Sequence, residues 1–446
     1  MIKRIMKPVA VVICNYNKKD FVLDCIASVF ASDFKDFDLI VVDNASTDGS
    51  AEAVRERWGD RLTLLVNEEN TGGSGGFCRG MTYAMDKGCY KYIHLLDDDV
   101  VLDKGAIGAL YGFMETHPEA GVCGSLVCRM AVRDYIQDYG AMIDKERIGV
   151  TPLYGGRRVD EGLPDSVECD YVAACSAVFR TDVLKITGVM DEKFFIYWDD
   201  MALCWEIRLA GYKVCAHAKS VVWHEGRYAD RTAFSRYYSI RNKIHCFAKY
   251  LSDDEFHAFI GILTNMIFRI FIVNLNNPGH IKNYFFALDD ALNGVRGKAE
   301  TYKIVNADNI SEKYRRVFAG KRRILLLYDK AVPEIDRVVQ KIKKVSEAEI
   351  CLYAGGDDAP SVAGITHAAS PDVDCDLTVQ LCYHILDVGT YDRTKVYIDK
   401  YTNAILDDAD FDFYENYESH RAFFNAVFAG FIKEKLHALR EKLRNA

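Results

Sequence analysis

Several absences narrow the function of this 446-residue chain before any motif is weighed. It has no excess of positive charge. The formal net charge is -9, so sequence-independent nucleic-acid binding driven by counterion release is excluded as its main business, and any basic surface must be local. Its 14 cysteines show no paired metal-ligand spacing. Cys123 and Cys128, Cys169 and Cys175, and Cys375 and Cys382 all miss the C-x2-C pattern, and the set reads as reduced, buried small hydrophobes of a cytosolic protein. A signal-peptide core is missing too: Met1 to Lys7 carries three cations but leads straight into the short run Val9–Ile13 before Asn15 and Asn17, which reads as a first strand. The longest apolar stretch, Phe256–Leu275, is interrupted by His257, Asn265 and Arg269, which makes it a poor bilayer span and a better buried or interfacial helix. There is no internal repeat and no low-complexity tract. What is present is a chain that is 50% hydrophobic, enough for two or three units with proper cores.

From Val9 to about Cys123, apolar runs of strand length alternate with helical stretches. The expected order is strand Val9–Ile13, helix Phe21–Phe30, strand Leu39–Val42, helix Ser50–Trp58, strand Leu62–Val66, helix Gly76–Lys87 and strand Tyr92–Leu96. Doubly buried strands separated by helices imply a parallel α/β sheet, whose ligands bind beyond the carboxyl ends of the strands. A mixed segment follows, with strands at Val172–Phe179 and Ser220–Trp223 and a helix from Asp200 to Ala210 stopped by Gly211. Thr232 to Leu292 reads as helical. Lys313 to Arg323, with six cations and no acid, reads as a linker before a small α/β unit with strands at Ile324–Tyr328, Glu349–Tyr353, Leu377–Cys382 and Lys395–Ile398 and a helix near Val332–Val345. The expected organisation is therefore 1-231, 232-312, 313-323 and 324-446.

Chemistry is sought just after the strands. Asp97-Asp98-Asp99 follows Tyr92–Leu96, and three adjacent carboxylates repel one another unless a cation or backbone dipoles offset them. A hard divalent ion would do so; a solvated turn or helix cap is the competing reading, and acid pairs such as Asp253-Asp254 and Asp407-Asp408 recur elsewhere. Asn70 to Gly76 lets backbone amides approach an anion, yet it fails both the G-x-G-x-x-G and the P-loop spacing, so a flexible loop competes. Asp43 suits a nucleobase imide or a strand-to-helix turn. Asp200 follows an aromatic run ending in Trp198, where apolar surface would favour a proton-accepting carboxylate, and helix capping is the alternative. His224 would complete a mixed oxygen and nitrogen metal shell, although a lone histidine is more often structural.

Taken in order, Asn15-Tyr16-Asn17, Val41 to Ser46, Asn70 to Phe77, Leu96 to Asp99, Trp198-Asp199-Asp200 and Trp223-His224 resemble the motif series of family 2 glycosyltransferases. The resemblance covers roughly the first 230 to 300 residues. It implies a GT-A fold: two abutting Rossmann-like α/β halves with a mixed, mostly parallel sheet, followed by the helical segment and the small C-terminal unit. Carried onto matching positions, it implies that Asn15, Tyr16, Asp43, Asn70, Arg79 and Asp98 bind the nucleotide, with Asp43 on uracil, Tyr16 beside the base and Arg79 reaching the diphosphate. It makes Asp97, Asp99 and His224 the ligands of Mn2+ or Mg2+, with Asp97 also within reach of the ribose, and Asp200 the catalytic base. Gly75, Gly76, Trp198, Asp199 and Trp223 fall to the donor or acceptor sugar. Gly72 to Phe77 together with the two tryptophan motifs looks most like the galactofuranosyltransferases that use UDP-galactofuranose; rhamnosyltransferases using dTDP-rhamnose share the order. The pattern departs at Ala202, where many relatives carry an acid.

The activity so implied is an inverting, single-displacement transfer from a UDP-sugar to a glycan or lipid-linked glycan, by a cytoplasmic protein touching the inner membrane face through Phe256–Leu275 and Lys313–Arg323; oligomers are allowed. Two other classes compete. A nucleotidyltransferase would want a Gly-rich, cationic loop after the first strand, which is absent, and a non-catalytic nucleotide-sugar-binding scaffold would work through the helical and last segments.

Overall fold

The structure is a computed structural model. It describes residues 7–160, 162–226, 232–305, 310–328, 335–355, 360 and 362–445, so the expected boundary at 231 and residues 332–334 of the expected helix lie outside the described residues.

The first unit is built on β1 (Val9–Asn15), β2 (Phe37–Asp43), β3 (Thr63–Val66) and β4 (Tyr92–Asp97), all parallel, linked by α1 (Lys19–Ala31), α2 (Ser50–Trp58) and α3 (Gly72–Lys87). β1 and β2 are buried along almost their whole length because helices cover both faces, which explains their unbroken apolar runs. After β5 (Val100–Leu102) and α4 (Ala106–Thr116) come β6 (Ala120–Arg129), β7 (Ile136–Asp138), the small hairpin β8 (Ala141–Asp144) and β9 (Gly149–Pro152), then β10 (Ser166–Cys169), β11 (Ser176–Arg180), α5 (Thr181–Thr187), α6 (Asp199–Leu209) and β12 (Lys213–His224). The sheet has ten strands in the order β10-β12-β6-β11-β4-β1-β2-β3, with β5 on β12 and β7 on β6. β11 enters antiparallel between β4 and β6, so the sheet is mixed and mostly parallel, as the family resemblance implied, where the apolar pattern alone implied a parallel sheet.

Two expected boundaries shift for physical reasons. The strand anticipated over Val172–Phe179 starts only at Ser176, because Val172 to Cys175 turn across a cavity. β12 runs back to Lys213, since its first half pairs with both β10 and β6.

The helical segment consists of α7 (Ala233–Tyr250), α8 (Asp253–Val273) and α9 (Pro278–Leu292). α8 is long and apolar enough to cross a membrane by length and composition alone, and half of that stretch is buried inside the protein. The cationic stretch expected as a linker is instead α10 (Glu312–Phe318) leading into β13 (Arg323–Tyr328). Tyr314 and Phe318 are buried in the core of the last unit, Lys313 pairs with Asp407 and Asp410, and Arg323 pairs with Glu349. Tyr314 and Phe318 are four residues apart, so the helix turns both to one face while Lys313, Arg315 and Arg316 fall outside it.

The last unit comprises α11 (Ile335–Lys343), β14 (Glu349–Ala354), β15 (Thr366–His367), β16 (Leu377–Cys382), β17 (Val396–Asp399), β18 (Ala404–Ile405), α12 (Asp408–Glu415) and α13 (Tyr417–Arg444), with sheet order β15-β14-β13-β16-β17-β18. α13 leaves this unit and returns to the helical segment, where Ile432, Leu436, Leu439 and Leu443 share a core with α7, α8 and α9.

Candidate active site

Asn15, Asp43 and Asp97 close three neighbouring parallel strands, with Asn15 paired to Asp43 and Cys14 to Asp97. β2 and β3 lie to one side of β1 and β4 to the other, so the chain reverses direction there and leaves a crevice beyond these carboxyl ends. After β4 the chain passes through Asp98 and Asp99 into β5, and the antiparallel pairing of β5 with β12 sets His224 opposite Val100. That register delivers an imidazole to the acidic turn from 125 positions away, a placement no local pattern encodes.

The ligand atoms of Asp97, Asp99 and His224 all lie within 4.8 Å of one another. His224 Nε2 is 3.1 Å from Asp99 Oδ1 and 3.7 Å from Asp97 Oδ2. Asp99 Oδ1 is buried and, despite this proximity, receives no aligned hydrogen bond. On the far side of the ring, the Gln137 amide lies 2.7 Å from Nδ1 and fixes the imidazole's orientation. Two carboxylates, an imidazole nitrogen and an unsatisfied acceptor fit a divalent cation such as Mn2+ or Mg2+.

The electrostatics follow from this crowding. Burial, reinforced by the charges of Asp99 and Asp98 and opposed by His224, pushes the Asp97 carboxyl up to about 7. Burial would also raise Asp99, but His224 and Lys18 outweigh it and hold that carboxyl below the usual range. For His224, burial favours the neutral ring, yet Asp99 and Asp97 raise its pKa above the ordinary value. Lys18 is the residue sequence reasoning missed. From the cap position of α1 its Nζ donates to Asp98 Oδ1 at 2.9 Å and Asp99 Oδ2 at 2.8 Å, while the Tyr16 amide donates to Asp98 Oδ2 at 3.1 Å. It stands next to the motif Asn15-Tyr16-Asn17 and was findable there.

A cavity of about 460 Å³ opens beside Asp97 and His224 and contains Trp198, Asp199 and Asp200. Asp200 Oδ2 accepts from the Tyr171 hydroxyl at 3.0 Å and the Ala174 amide at 3.2 Å, and Oδ1 from the Met201 amide at 2.8 Å. Burial raises the pKa of both neighbouring acids. Asp199, with the charge of Asp200 added, reaches about 7. Gln137 and Asp138, at the end of β7, also line this cavity.

The approach to α6 is strained. Phe195, Tyr197 and Trp198 have φ of 67°, 65° and 69°, a left-handed conformation that costs non-glycine residues on the order of 1–3 kcal/mol each. The helical segment holds it. Buried Asn242 of α7 donates to the carbonyls of Phe194, Ile196 and Tyr197 at 2.9, 2.8 and 3.0 Å, and buried Arg241 donates to Phe194 O at 3.1 Å. Neither residue carries a sequence signal beyond a polar pair inside a helical pattern.

Other expected residues land elsewhere. Asp43 is buried, its oxygens accepting from Asn15 Nδ2 at 2.9 Å and the Ser46 amide at 3.0 Å, while Tyr16 is 43% exposed beside the crevice. Asn70 links Asn44 to the Gly72 amide, at 3.1 and 2.7 Å. The glycine-rich stretch is no loop: Gly72 onward is the first turn of α3. Gly75 and Gly76 are buried, and a Cβ on Gly76 would sit 2.1 Å from Cys14 Sγ. A Cβ on Gly75 would meet Thr71 at 2.5 Å; neither glycine lines the cavity, whereas Gly73 does. Arg79 donates to Val66 O at 2.8 Å and to Asn67, and lines a separate depression away from the acidic cluster. Trp223 lies on the opposite strand face from His224, under the Arg133 guanidinium at 4.7 Å, and does not line the cavity.

Residues 10–185 match Glycosyl transferase family 2. Poly-beta-1,6-N-acetyl-D-glucosamine synthase of Staphylococcus epidermidis is 21% identical over 210 residues, and that of Staphylococcus aureus strain MSSA476 is 23% identical over 215; each alignment covers 47% of this chain and 47% of the relative. The chain thus spans about half the length of the curated relatives it matches. Among solved structures, GalNAc-T7 with UDP, GalNAc and Mn2+ superposes with a TM-score of 0.46 at 14% identity, covering 57% of this chain and 50% of that one.

Proposed function

We propose that this chain is a metal-dependent, inverting glycosyltransferase that moves a sugar from a UDP donor to a hydroxyl of a glycan or lipid-linked glycan. Galactofuranose is the donor sugar its motif series favours. One observation carries the reading: Asp97 and Asp99 after β4 and His224 at the end of β12 meet beside the cavity that holds Asp199 and Asp200, next to the crevice of a unit that matches Glycosyl transferase family 2.

Asp97, Asp99 and His224 would hold Mn2+ or Mg2+, which when bound supplies positive charge against the departing diphosphate. Lys18 offsets the surplus charge of Asp98 and Asp99 and keeps the acidic turn closed. Asn15 Oδ1 is buried without a hydrogen-bond partner, an acceptor that suits the imide N–H of uracil between Asp43 and the exposed ring of Tyr16. Asp200 takes the proton from the acceptor hydroxyl as that oxygen attacks the anomeric carbon. Burial makes its carboxylate more basic, and the donors from Tyr171, Ala174 and Met201 hold it in one orientation. A single base and a single displacement invert the anomeric centre.

One observation favours a second assignment within the same reaction: the carboxyl of Asp199, at about 7, is the better matched to proton transfer at neutral pH. Asp200→Asn and Asp199→Asn separate the two. The variant of the true base keeps Mn2+-dependent UDP binding and loses transfer, and near-normal turnover in Asp200→Asn removes that residue from the role. Donors are screened by nucleotide release with UDP-galactofuranose, dTDP-rhamnose and UDP-N-acetylglucosamine, the last because of the sugar in the relatives' name. Liposome sedimentation tests the peripheral membrane contact proposed for α8; equal recovery with and without anionic lipid counts against it.

A further inference from the structure

α13 turns an apolar face to solvent. Between Arg421 and Lys433 it carries no charged residue, and its one polar side chain there, Asn425, turns inward to donate to Asn265 of α8 at 3.0 Å. Ile432, Leu436, Leu439 and Leu443 are buried against α7, α8 and α9, yet on the other side Phe423 is 70% exposed, Val427 52% and Phe431 55%. Spaced four apart, these three form one ridge along the helix. Beside it runs a second row with the same spacing, Ala422, Ala426 and Gly430, all exposed. A Cβ on Gly430 would meet nothing within 4 Å, so no contact among the described residues calls for glycine there, and glycine in an exposed helix interior is less stable than alanine.

A row of large side chains next to a row of small ones is self-complementary. Packed antiparallel across a two-fold axis that passes beside Ala426 and Val427, a second copy of α13 sets Phe423 opposite Gly430, Val427 opposite Ala426 and Phe431 opposite Ala422, so each ridge lies in the other's groove. The same register closes the ends. Glu434, exposed and one turn past Phe431, comes to Ser419 and His420 of the other copy, which supply a hydroxyl and an imidazole N–H to its carboxylate. A lipid surface answers neither feature: it has no use for the small row, and it would bring Glu434 up to anionic headgroups.

We infer that this face of α13 is where two copies of the chain join as a symmetric dimer. The two rows offer on the order of 400 Å² of apolar surface per copy, with an aromatic side chain at about 150–250 Å². Two copies thus bury about 800 Å² there, below the roughly 1,200–2,000 Å² of a stable specific interface. Association through α13 alone is therefore weak, with a Kd in the micromolar range or above. The contact uses the outer side of a helix whose inner side shares a core with α7, α8 and α9, and it does not rest on the function proposed above.

The test is sedimentation velocity of the full chain across the micromolar range. The weight-average mass should climb toward that of a dimer as concentration rises. Phe423→Ser/Phe431→Ser should raise the Kd about tenfold or more, as the loss of central aromatic anchors does. Both side chains are more than half exposed, so the melting temperature of the dilute protein should stay the same. Gly430→Trp separates a matched groove from a merely adhesive surface. It adds apolar area but fills the notch that Phe423 enters, so it too should abolish the dimer, whereas non-specific association would grow stronger. An unaltered chain that stays monomeric, or association that survives either variant, overturns the inference. So does a monomeric chain that sediments with phosphatidylcholine vesicles and loses this in Phe423→Ser/Phe431→Ser, which would give the face to lipid.

Discussion

Replacing Asn242 by leucine tests how the helical segment serves the proposed catalytic cavity. The side chain is buried, and its amide nitrogen reaches three carbonyls of the Phe194–Tyr197 loop. Its two hydrogens satisfy at most two of these at full strength. Losing two bonds at about 1 kcal/mol each, with carbonyls left unpaired in the interior, gives an expected loss of about 2–4 kcal/mol. The loop would also be freed from φ values near 65–69° at Phe195, Tyr197 and Trp198, a conformation it has no intrinsic reason to keep. Since Trp198 leads directly into Asp199 and Asp200, a displacement on the order of 1 Å should cut kcat about a hundredfold. UDP binding in Mn2+ should survive, because Asn15, Asp43, Asp97, Asp99 and His224 belong to other elements. The assays are urea unfolding, calorimetric UDP binding and sugar transfer. A destabilised protein with normal kcat would refute the bracing role, as would equal loss of UDP affinity and turnover.

Further outcomes are expected elsewhere. Gly76→Ala should destabilise by about 1–3 kcal/mol, the usual cost of overpacking, because the new methyl meets Cys14 Sγ at 2.1 Å. The same change in a Cys14→Ala background should cost much less, since the Cys14 Cβ at 3.4 Å and Asn44 Cγ at 3.8 Å are then ordinary contacts, and denaturation midpoints read the difference. His94 and His245 are buried, and burial, aided at His245 by Arg241, depresses each to about 3. The unfolded chain takes up these protons near 6.5 and the folded one does not, so their stability is complete above pH 6.5 and drains away as pH falls toward 3. By pH 5.5 each should have lost about 1 kcal/mol. Urea midpoints at pH 7.5 and 5.5 measure the slope, which His94→Gln should flatten; an unchanged slope would show that His94 protonates in the folded state.

Much of the first unit was legible because its strands are buried on both faces. That burial demands continuous apolar runs, and strand ends then mark the crevice, which is why Asp97 and Asp99 stood out by position, whereas Asp200 stood out by the aromatic run before its helix. The glycine run misled for the opposite reason. Glycine permits a flexible loop, an anion cradle or close helix packing alike, and only the contact with Cys14 selects the third. Trp223 and Arg79 also lie off the cavity: strand alternation turns the one away, and the Val66 carbonyl holds the other.

Periodicity and residue type by themselves determined the α/β class, the parallel core and the acidic turn after β4, since these follow from local burial patterns. Tertiary structure alone decided which distant groups complete the site. The pairing of β5 with β12 brought His224 to Asp99, the cap of α1 sent Lys18 to the same carboxylates, and α7 supplied Asn242 to the strained loop. Each is a long-range contact fixed by register or helix packing, which neighbouring sequence does not specify, although Lys18 adjoins Asn15 to Asn17 and His224 belongs to the Trp223-His224 motif.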